Sequence, residues 1–115
     1  MKDVKELIQQ SSQELRRGLL VLSVLASLKD SQYGYSLIQV LESKGITIEG
    51  NTLYPLLRRL EEQGLLQSQW DTEEGSKPRK YYHTTNKGKE VLKELKDIWF
   101  ETVKNMNEIL GGYDE

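Results

Sequence analysis

The residues best suited to chemistry lie on one side of a short predicted helix, residues 51–63. Four leucines there recur at spacings of three and four and predict one buried stripe: Leu53, Leu56, Leu57 and Leu60. The other side carries a hydroxyl, a phenol, two guanidiniums and an amide: Thr52, Tyr54, Arg58, Arg59 and Gln63. Such groups bond to phosphates and to the edges of nucleic-acid bases. A solvated helix face is the alternative interpretation, and the neighbouring segments bear on the choice.

Local signals predict where this helix begins and ends. Asn51 is expected to cap the N-terminus, because its side chain can accept a hydrogen bond from a free amide of the first turn. Pro55 is expected in or near that turn, where a missing N–H costs least. Gly64 suits the left-handed residue that follows a helix. The next residues, Leu65–Trp70, alternate loosely and predict a strand.

A second strand is predicted over Arg79–Thr85, which is rich in aromatic and β-branched residues. The polar Gly- and Pro-containing stretch Asp71–Pro78 between the strands predicts a hairpin with a long tip, a wing. From Gly75 to Lys89 the chain has five basic residues and no acidic one, although its net charge is −2. This segregation is typical of phosphate binding. A solvated hairpin is the alternative, and acidic Glu73-Glu74 argues against phosphate contact at the tip itself.

Two helices are predicted upstream of this unit. Residues 4–29 form the first, which is expected to end near Lys29–Asp30, while residues 1–12 are expected to be a separate turn or a mobile arm. The second helix runs from Tyr33 to about Lys44 and is opened by Ser31 or Gln32. The β-branched residues 46–48 predict a short strand or a simple bridge. Helices 33–44 and 51–63 then fit a helix-turn-helix whose second helix enters the major groove of DNA.

A long amphipathic helix is predicted for residues 86–110, capped by Thr85 or Asn86 and ended by Gly111-Gly112, with Tyr113–Glu115 frayed. At 1.5 Å per residue it is about 37 Å long, more than a small domain can cover. The sequence therefore predicts an obligate homodimer that buries this helix and the first one. The interface residues expected are Leu15, Leu19, Leu22, Leu92, Leu95, Trp99, Val103, Met106 and Leu110.

Composition limits the function classes. The 115 residues predict one structural unit, a winged domain at 1–85 continuing into a dimerisation helix at 86–115. There is no apolar run long enough for a membrane span and no signal core at the start, so we expect a cytoplasmic protein. The chain has no cysteine and one histidine, so we expect no metal site and no cofactor. No carboxylate pair or nucleophile–base set stands out, so we do not expect an enzyme.

The sequence resembles the PadR family of transcriptional regulators, in its compact branch with a single C-terminal helix. The matching segments are Tyr33-Gly34-Tyr35, Gly50–Pro55, Arg59-Leu60-Glu61 with Gly64-Leu65, Arg79–Tyr82 and Thr84–Gly88. The resemblance implies a winged-helix domain, a dimer built on the last helix and repression that responds to a ligand. The fold expected is mainly α with a small β-hairpin, a winged helix-turn-helix plus a long dimerisation helix.

Double-stranded DNA is therefore the expected partner. The residues expected to contact it are Gly34, Tyr35, Asn51, Thr52, Tyr54, Arg58, Lys77, Arg79 and Lys80. Gly34 has an equally good alternative role in tight helix packing, and Arg59 points away from Arg58 and ranks lower. The other function considered is a dimeric interaction module with no specific DNA binding.

Trp99 is the expected ligand-binding residue. It lies midway along the last helix, where two-fold symmetry would bring it near its own copy. Two indoles can hold a planar aromatic or phenolic compound between them. The alternative is that Trp99 only fills the interface.

Overall fold

The computed structural model describes residues 1–72, 75 and 77–111, which form five helices and a three-stranded antiparallel sheet. The helices are α1 (Val4–Arg17), α2 (Leu19–Ser27), α3 (Gly34–Ser43), α4 (Gly50–Glu62) and α5 (Asn86–Leu110). The strands are β1 (Gln32–Tyr33), β2 (Leu66–Asp71) and β3 (Arg79–Thr84), with β3 in the middle. The predicted winged helix-turn-helix with a long last helix is confirmed. The Glu73-Glu74 pair expected at the wing tip lies outside the described residues.

The predicted helix at 4–29 is two helices, interrupted at Gly18 and ending at Ser27. Glycine is among the weakest helix formers, which accounts for the break. The turn or mobile arm expected for residues 1–12 is wrong, because α1 already begins at Val4. The Asp3 side chain accepts a hydrogen bond from the Glu6 amide and caps it. None of the α1 residues is buried, so α1 stands on the surface of the chain.

The strand β1 was not predicted, since its two residues acquire their extended form only by pairing with β3, far away in the chain. Gln32 lies opposite Tyr82, and Tyr33 lies opposite Tyr81. Consequently α3 starts at Gly34, and neither Ser31 nor Gln32 opens it. The segment 46–48 forms no strand and is the bridge to α4.

The predicted N-cap of α4 is wrong. The helix begins at Gly50, because the Glu49 carbonyl already accepts hydrogen bonds from the amides of Thr52 and Leu53. Asn51 is therefore an exposed helical residue, and Pro55 lies in the second turn rather than the first. The four leucines of the predicted stripe are buried in the core, as expected: Leu53, Leu56, Leu57 and Leu60.

A short junction fixes the wing and α5 to the helical core. The Thr84 hydroxyl donates to the Leu25 carbonyl at 2.8 Å, and the Thr85 hydroxyl donates to the Gly64 carbonyl at 2.7 Å. Thr85 also accepts from the Gly88 amide and so caps α5, as predicted. A Cβ at Gly88 would lie 2.2 Å from the Leu65 carbonyl oxygen, so only glycine fits this approach. The end of α4, the start of the wing and the start of α5 are thereby held in one arrangement.

Beyond this junction α5 leaves the body of the chain, and Gly88 and Leu92 are its only buried residues. Leu92 thus belongs to the core of its own chain, which removes it from the predicted dimer interface. Gly111, with φ 87°, ends the helix in the left-handed conformation. The predictions for Gly112 and the frayed Tyr113–Glu115 lie outside the described residues. None of the helices in the described part of the chain is long and apolar enough to cross a membrane.

Candidate nucleic-acid interface

The ring of Tyr54 lies in a slot formed by two glycines. A Cβ at Gly34, the first residue of α3, would be 2.6 Å from Tyr54 Cε1 and 2.9 Å from its hydroxyl. A Cβ at Gly50, one turn earlier on α4, would be 3.4 Å from Cε2. Gly34 is buried while Tyr54 remains 43% exposed. The packing role considered for Gly34 is therefore present, and it holds the Tyr54 hydroxyl beside the start of α3.

The N-terminus of α3 lies beside this slot. No side chain in the described residues caps this helix, so its first amides lack a side-chain acceptor. Tyr35 is 66% exposed at that end. Free amides at a helix N-terminus bind phosphate well, and here a phenol lies next to them. The structure thus brings together Gly34, Tyr35 and Tyr54, three of the residues predicted to contact DNA.

The root of the wing adds a cation to this corner. Arg79 of β3 lies above the ring of Tyr33, with its guanidinium carbon 5.1 Å from the ring centroid. Arg79 also borders a surface depression of about 350 Å³ that it shares with Tyr33, Tyr35 and Ser36. A phosphate at the start of α3 would therefore meet Arg79 as well.

Tyr33 anchors this corner, although the sequence assigned it no role beyond the motif. Its ring stacks on Tyr81 with the centroids 4.3 Å apart and the planes 19° apart. Its hydroxyl lies 2.8 Å from both the Tyr81 hydroxyl and Asp71 Oδ2, and its single proton can be donated to either of them. Tyr81 is thereby held against Tyr33, while its neighbour Tyr82 is buried. These hydrogen bonds to Tyr81 and Asp71 raise the pKa of the Tyr33 phenol well above its ordinary value, because ionisation would abolish them.

Lys80 has three partners among the described residues. Its ammonium lies 3.9 Å from Glu61 Oε1, 5.6 Å from the centre of the Trp70 ring and 5.8 Å from that of Tyr82. Burial raises the pKa of the Tyr82 phenol, and the nearby Glu61 carboxylate adds to the effect. The predicted phosphate contact of Lys80 would compete with its ion pair with Glu61.

The exposed side of α4 divides into two flanks. Tyr54 lies on the flank beside α3. Thr52 and Arg59 lie on the other, where they border a groove of about 350 Å³ together with Arg17 and Leu20. Asn51 and Arg58 are exposed. Thr52 is thus separated from the corner formed by Tyr54 and the wing. Lys77, another residue predicted to contact DNA, is exposed in the loop between β2 and β3.

Comparison with known proteins identifies the family. Residues 21–94 match the model of the PadR-like family of transcriptional regulators. The transcriptional regulator Rv3488 of Mycobacterium tuberculosis is 34% identical over 100 residues, which cover 86% of this chain and 90% of that protein. This chain belongs to the PadR-like family.

Solved structures of PadR proteins agree with this assignment. A PadR-family transcriptional regulator from Eggerthella lenta superposes with a TM-score of 0.87 at 49% identity, covering 92% of this chain and 94% of that one. A PadR-like transcription factor from Bacteroides fragilis gives a TM-score of 0.74 at 35% identity, covering 87% and 98%. The chain is therefore a winged-helix transcriptional regulator.

The PadR motif residues divide into two groups in this structure. Tyr54 and Arg79 present polar groups to solvent at the corner described above. The motif residues Thr84, Thr85 and Gly88 instead join β3 and the start of α5 to α2 and to the end of α4. Lys87 belongs to the second group, because its ammonium donates to the Gln63 carbonyl at 3.1 Å, at the end of α4. The basic charge counted near the wing in the sequence is therefore partly structural.

The residues predicted for the dimer and for the ligand lie mostly on uncovered surface of this PadR chain. Leu15 is 77% exposed on α1, while Leu19 and Leu22 on α2 are half-buried. On α5, Trp99 is 38% exposed, Met106 40% and Leu110 64%. Leu95 and Val103 are half-buried. Apart from Leu92, the predicted set thus has apolar surface left to offer a partner.

Proposed function

We propose that this PadR-family protein is a repressor that binds a palindromic operator as a homodimer and is released by a small aromatic or phenolic ligand. In each protomer α4 enters the major groove, while the start of α3 and the wing hold the flanking phosphates. The observation that carries this proposal is the corner where the Tyr54 phenol, the uncapped amides of α3 and the Arg79 guanidinium converge.

The roles of the predicted residues follow from their positions. Arg58, and Asn51 near the N-terminus of α4, face outward and can reach base edges. Gly34 and Tyr35 contribute amides, and Tyr54 a hydroxyl, to a phosphate. Lys77, Arg79 and Lys80 supply the sequence-independent attraction of the wing. Thr52 lies on the flank of α4 away from Tyr54, where it can contact only the sugar–phosphate backbone of DNA.

Two arginines that are neighbours in the sequence test this assignment. Arg58→Ala should weaken operator binding by about 1–3 kcal/mol, as should Tyr54→Ala, because each loses a direct contact. Arg59→Ala removes the same charge one position further on, on the flank facing α1, and should have a smaller effect. The measurement is fluorescence anisotropy with operator selected from genomic fragments by the purified protein. Equal losses for Arg58→Ala and Arg59→Ala would contradict the assigned face.

The homodimer is supported by apolar side chains of α1 and α5 that remain at least one-third exposed in the described chain. On α1 the exposed apolar residues are Val4, Leu7, Ile8 and Leu15. On α5 they are Ile98, Trp99, Phe100, Met106, Ile109 and Leu110. A second copy related by a two-fold axis would cover both helices and set two α4 helices about 34 Å apart, one turn of DNA.

Sedimentation equilibrium at micromolar concentration should therefore give a dimer. Met106→Glu should shift the equilibrium towards monomer, because it places a charge in the apolar stripe of α5. Lys104→Glu is the control, since it makes a larger change of charge on the exposed polar side of the same helix and should leave the dimer intact. A wild-type monomer would exclude the dimer and with it the two-fold arrangement on DNA.

A further inference from the structure

The carboxylate of Glu61, near the end of α4, contacts both strands of the wing. The Ser68 hydroxyl of β2 donates to Glu61 Oε2, and the Lys80 ammonium of β3 lies 3.9 Å from Glu61 Oε1. Both side chains of the ion pair are about one-third exposed, at 36% for Lys80 and 33% for Glu61. Glu61 thus connects the helix proposed to enter the major groove with the strands proposed to hold phosphate.

Lys80 is restrained on several sides in the unbound protein. Besides Glu61, its ammonium contacts the faces of Trp70 and Tyr82, at 5.6 and 5.8 Å from the ring centroids. Cation–π contacts and an ion pair both favour the position that Lys80 occupies now. A phosphate that binds this ammonium competes with the Glu61 carboxylate for it, and the carboxylate adds a negative charge close to the DNA.

We propose that Glu61 is a positioning residue that restrains Lys80 and so limits the affinity of the wing for DNA of any sequence. This inference rests on the proposed function, since it requires that Lys80 contacts phosphate. Its consequence is specific. Removing the carboxylate should strengthen DNA binding, and the gain should depend on the presence of Lys80.

The size of the effect follows from the exposure of the pair. Partly exposed ion pairs with weak geometry contribute about 0.2–1 kcal/mol, which converts to a gain in affinity of up to about fivefold. The Ser68 bond does not contribute to this gain if the replacement still accepts a hydrogen bond. Glu61→Gln meets that condition, because its amide oxygen can accept from Ser68 while its charge is lost.

The experiment is a double-mutant cycle. The affinities of wild type, Glu61→Gln, Lys80→Met and the double variant for a labelled mixed-sequence duplex at low salt are measured by fluorescence anisotropy. We expect tighter binding by Glu61→Gln than by wild type, and no difference between Lys80→Met and the double variant. Glu62→Gln is the matched control, since it removes the same charge from the next residue, which is exposed. Its effect should be the same with and without Lys80.

A second variant separates restraint from simple charge. Glu61→Asp keeps the negative charge but withdraws it from Lys80 by one methylene, so it should also bind DNA more tightly than wild type. Thermal unfolding of each variant verifies that the domain is intact, and this variant decides the matter if Glu61→Gln does not fold.

Three results would overturn the inference. A gain from Glu61→Gln that persists in the Lys80→Met background would mean that the carboxylate acts on DNA directly. An unchanged affinity in Glu61→Gln would mean that the ion pair does not limit binding, and an unchanged affinity in Lys80→Met would mean that Lys80 does not reach phosphate. All three leave DNA binding by α4 in place. Failure of the wild type to bind any duplex at low salt would instead refute the proposed function itself.

Discussion

Tyr33 shows how a single residue can fix the relative position of two elements, here α3 and the wing. It belongs to β1, it occupies the cap position of α3, and its side chain reaches both Asp71 and Tyr81 of the wing. The Arg79 guanidinium also lies over its ring, 5.1 Å from the centroid. Any movement of the wing relative to α3 would have to break these contacts. The orientation of Arg79 towards the start of α3 therefore depends on the phenol of Tyr33.

Titration can test this role of Tyr33. A raised pKa means that the folded protein holds the phenolic proton more tightly than the unfolded chain, in which tyrosine ionises near pH 10. The stabilisation by this phenol should be fully present below about pH 10 and should be lost as the pH rises through the folded-state value. Wild type should thus be more stable than Tyr33→Phe by a constant amount from neutral pH to about 10, and by less above it.

The measurement is urea unfolding of both proteins at several pH values, with Tyr35→Phe as a control that removes an exposed phenol from the same corner. Tyrosinate absorbance provides a second readout. The titration curve of Tyr33→Phe should differ from that of wild type by the loss of one tyrosine that ionises at high pH. If Tyr33→Phe is as stable as wild type at neutral pH, the hydroxyl bonds do not hold the wing.

At the scale of the secondary-structure elements, the junction around Gly88 decides the direction of α5. A Cβ there would lie 2.2 Å from the Leu65 carbonyl oxygen and 2.6 Å from Thr84 Cγ2. One of these contacts is with backbone that the Thr85 hydrogen bond to Leu65 also holds in place. The first turn of α5 would have to move away from the end of α4.

Gly88→Ala should therefore destabilise the protein by about 1–3 kcal/mol, as overpacked sites do. Gly18→Ala is the matched control, because the same Cβ added between α1 and α2 would meet nothing within 4 Å and φ there is −68°. It should be neutral or stabilising by up to about 1 kcal/mol. Chemical unfolding of both variants checks this pair, and equal destabilisation would show that the loss reflects glycine chemistry in general rather than this contact.

The elements that the sequence predicted well are those with local signals at both ends. The last helix was predicted at 86–110 and occurs at Asn86–Leu110, because Thr85 caps it and Gly111 ends it through local hydrogen bonds. The strand β1 escaped prediction, since it exists only through pairing with β3. Asn51 has a residue type that often caps a helix N-terminus, but α4 begins before it, because the carbonyl of Glu49 accepts the first helical hydrogen bonds.

The candidate site was predictable by residue type but not by grouping. Tyr54, Arg58 and Arg79 could be named from their chemistry and spacing. That Gly34 receives the Tyr54 ring, and that Glu61 holds Lys80, depends on contacts between separate elements. Periodicity within one helix carries no information about such contacts.

At the scale of the whole molecule, the chain is too extended for a compact monomer. Its radius of gyration is 16.9 Å, whereas about 13 Å is expected for a compact domain of this length. The excess comes from α1 and the outer part of α5, whose apolar residues remain uncovered. A dimer that covers these helices would make the distance between the two α4 helices a property of the subunit interface. Whatever changes that interface would then change the fit to two half-sites of DNA.

Trp99 is the residue best placed to link such a change to a ligand. It lies on the apolar stripe of α5, beyond the buried Leu92, and is 38% exposed. If the two-fold axis passes nearby, the two indoles can hold a planar aromatic compound, and offset stacking adds about 0.5–1.5 kcal/mol beyond burial. If DNA binds more tightly to one spacing of the subunits and the compound to the other, the compound weakens DNA binding. By linkage, DNA weakens binding of the compound by the same coupling free energy.

We expect planar aromatic or phenolic compounds to quench Trp99 fluorescence saturably and to weaken operator binding over the same concentration range. The chain has two tryptophans, so Trp70 is replaced by Phe in every protein compared. In that background Trp99→Ala should lose the response of operator affinity to the compound while remaining dimeric in sedimentation. If instead the compounds weaken DNA binding equally with and without Trp99, the effector site lies elsewhere. If a broad panel leaves both fluorescence and affinity unchanged, Trp99 serves only to fill the interface, because a ligand that does not distinguish the two spacings cannot shift their populations.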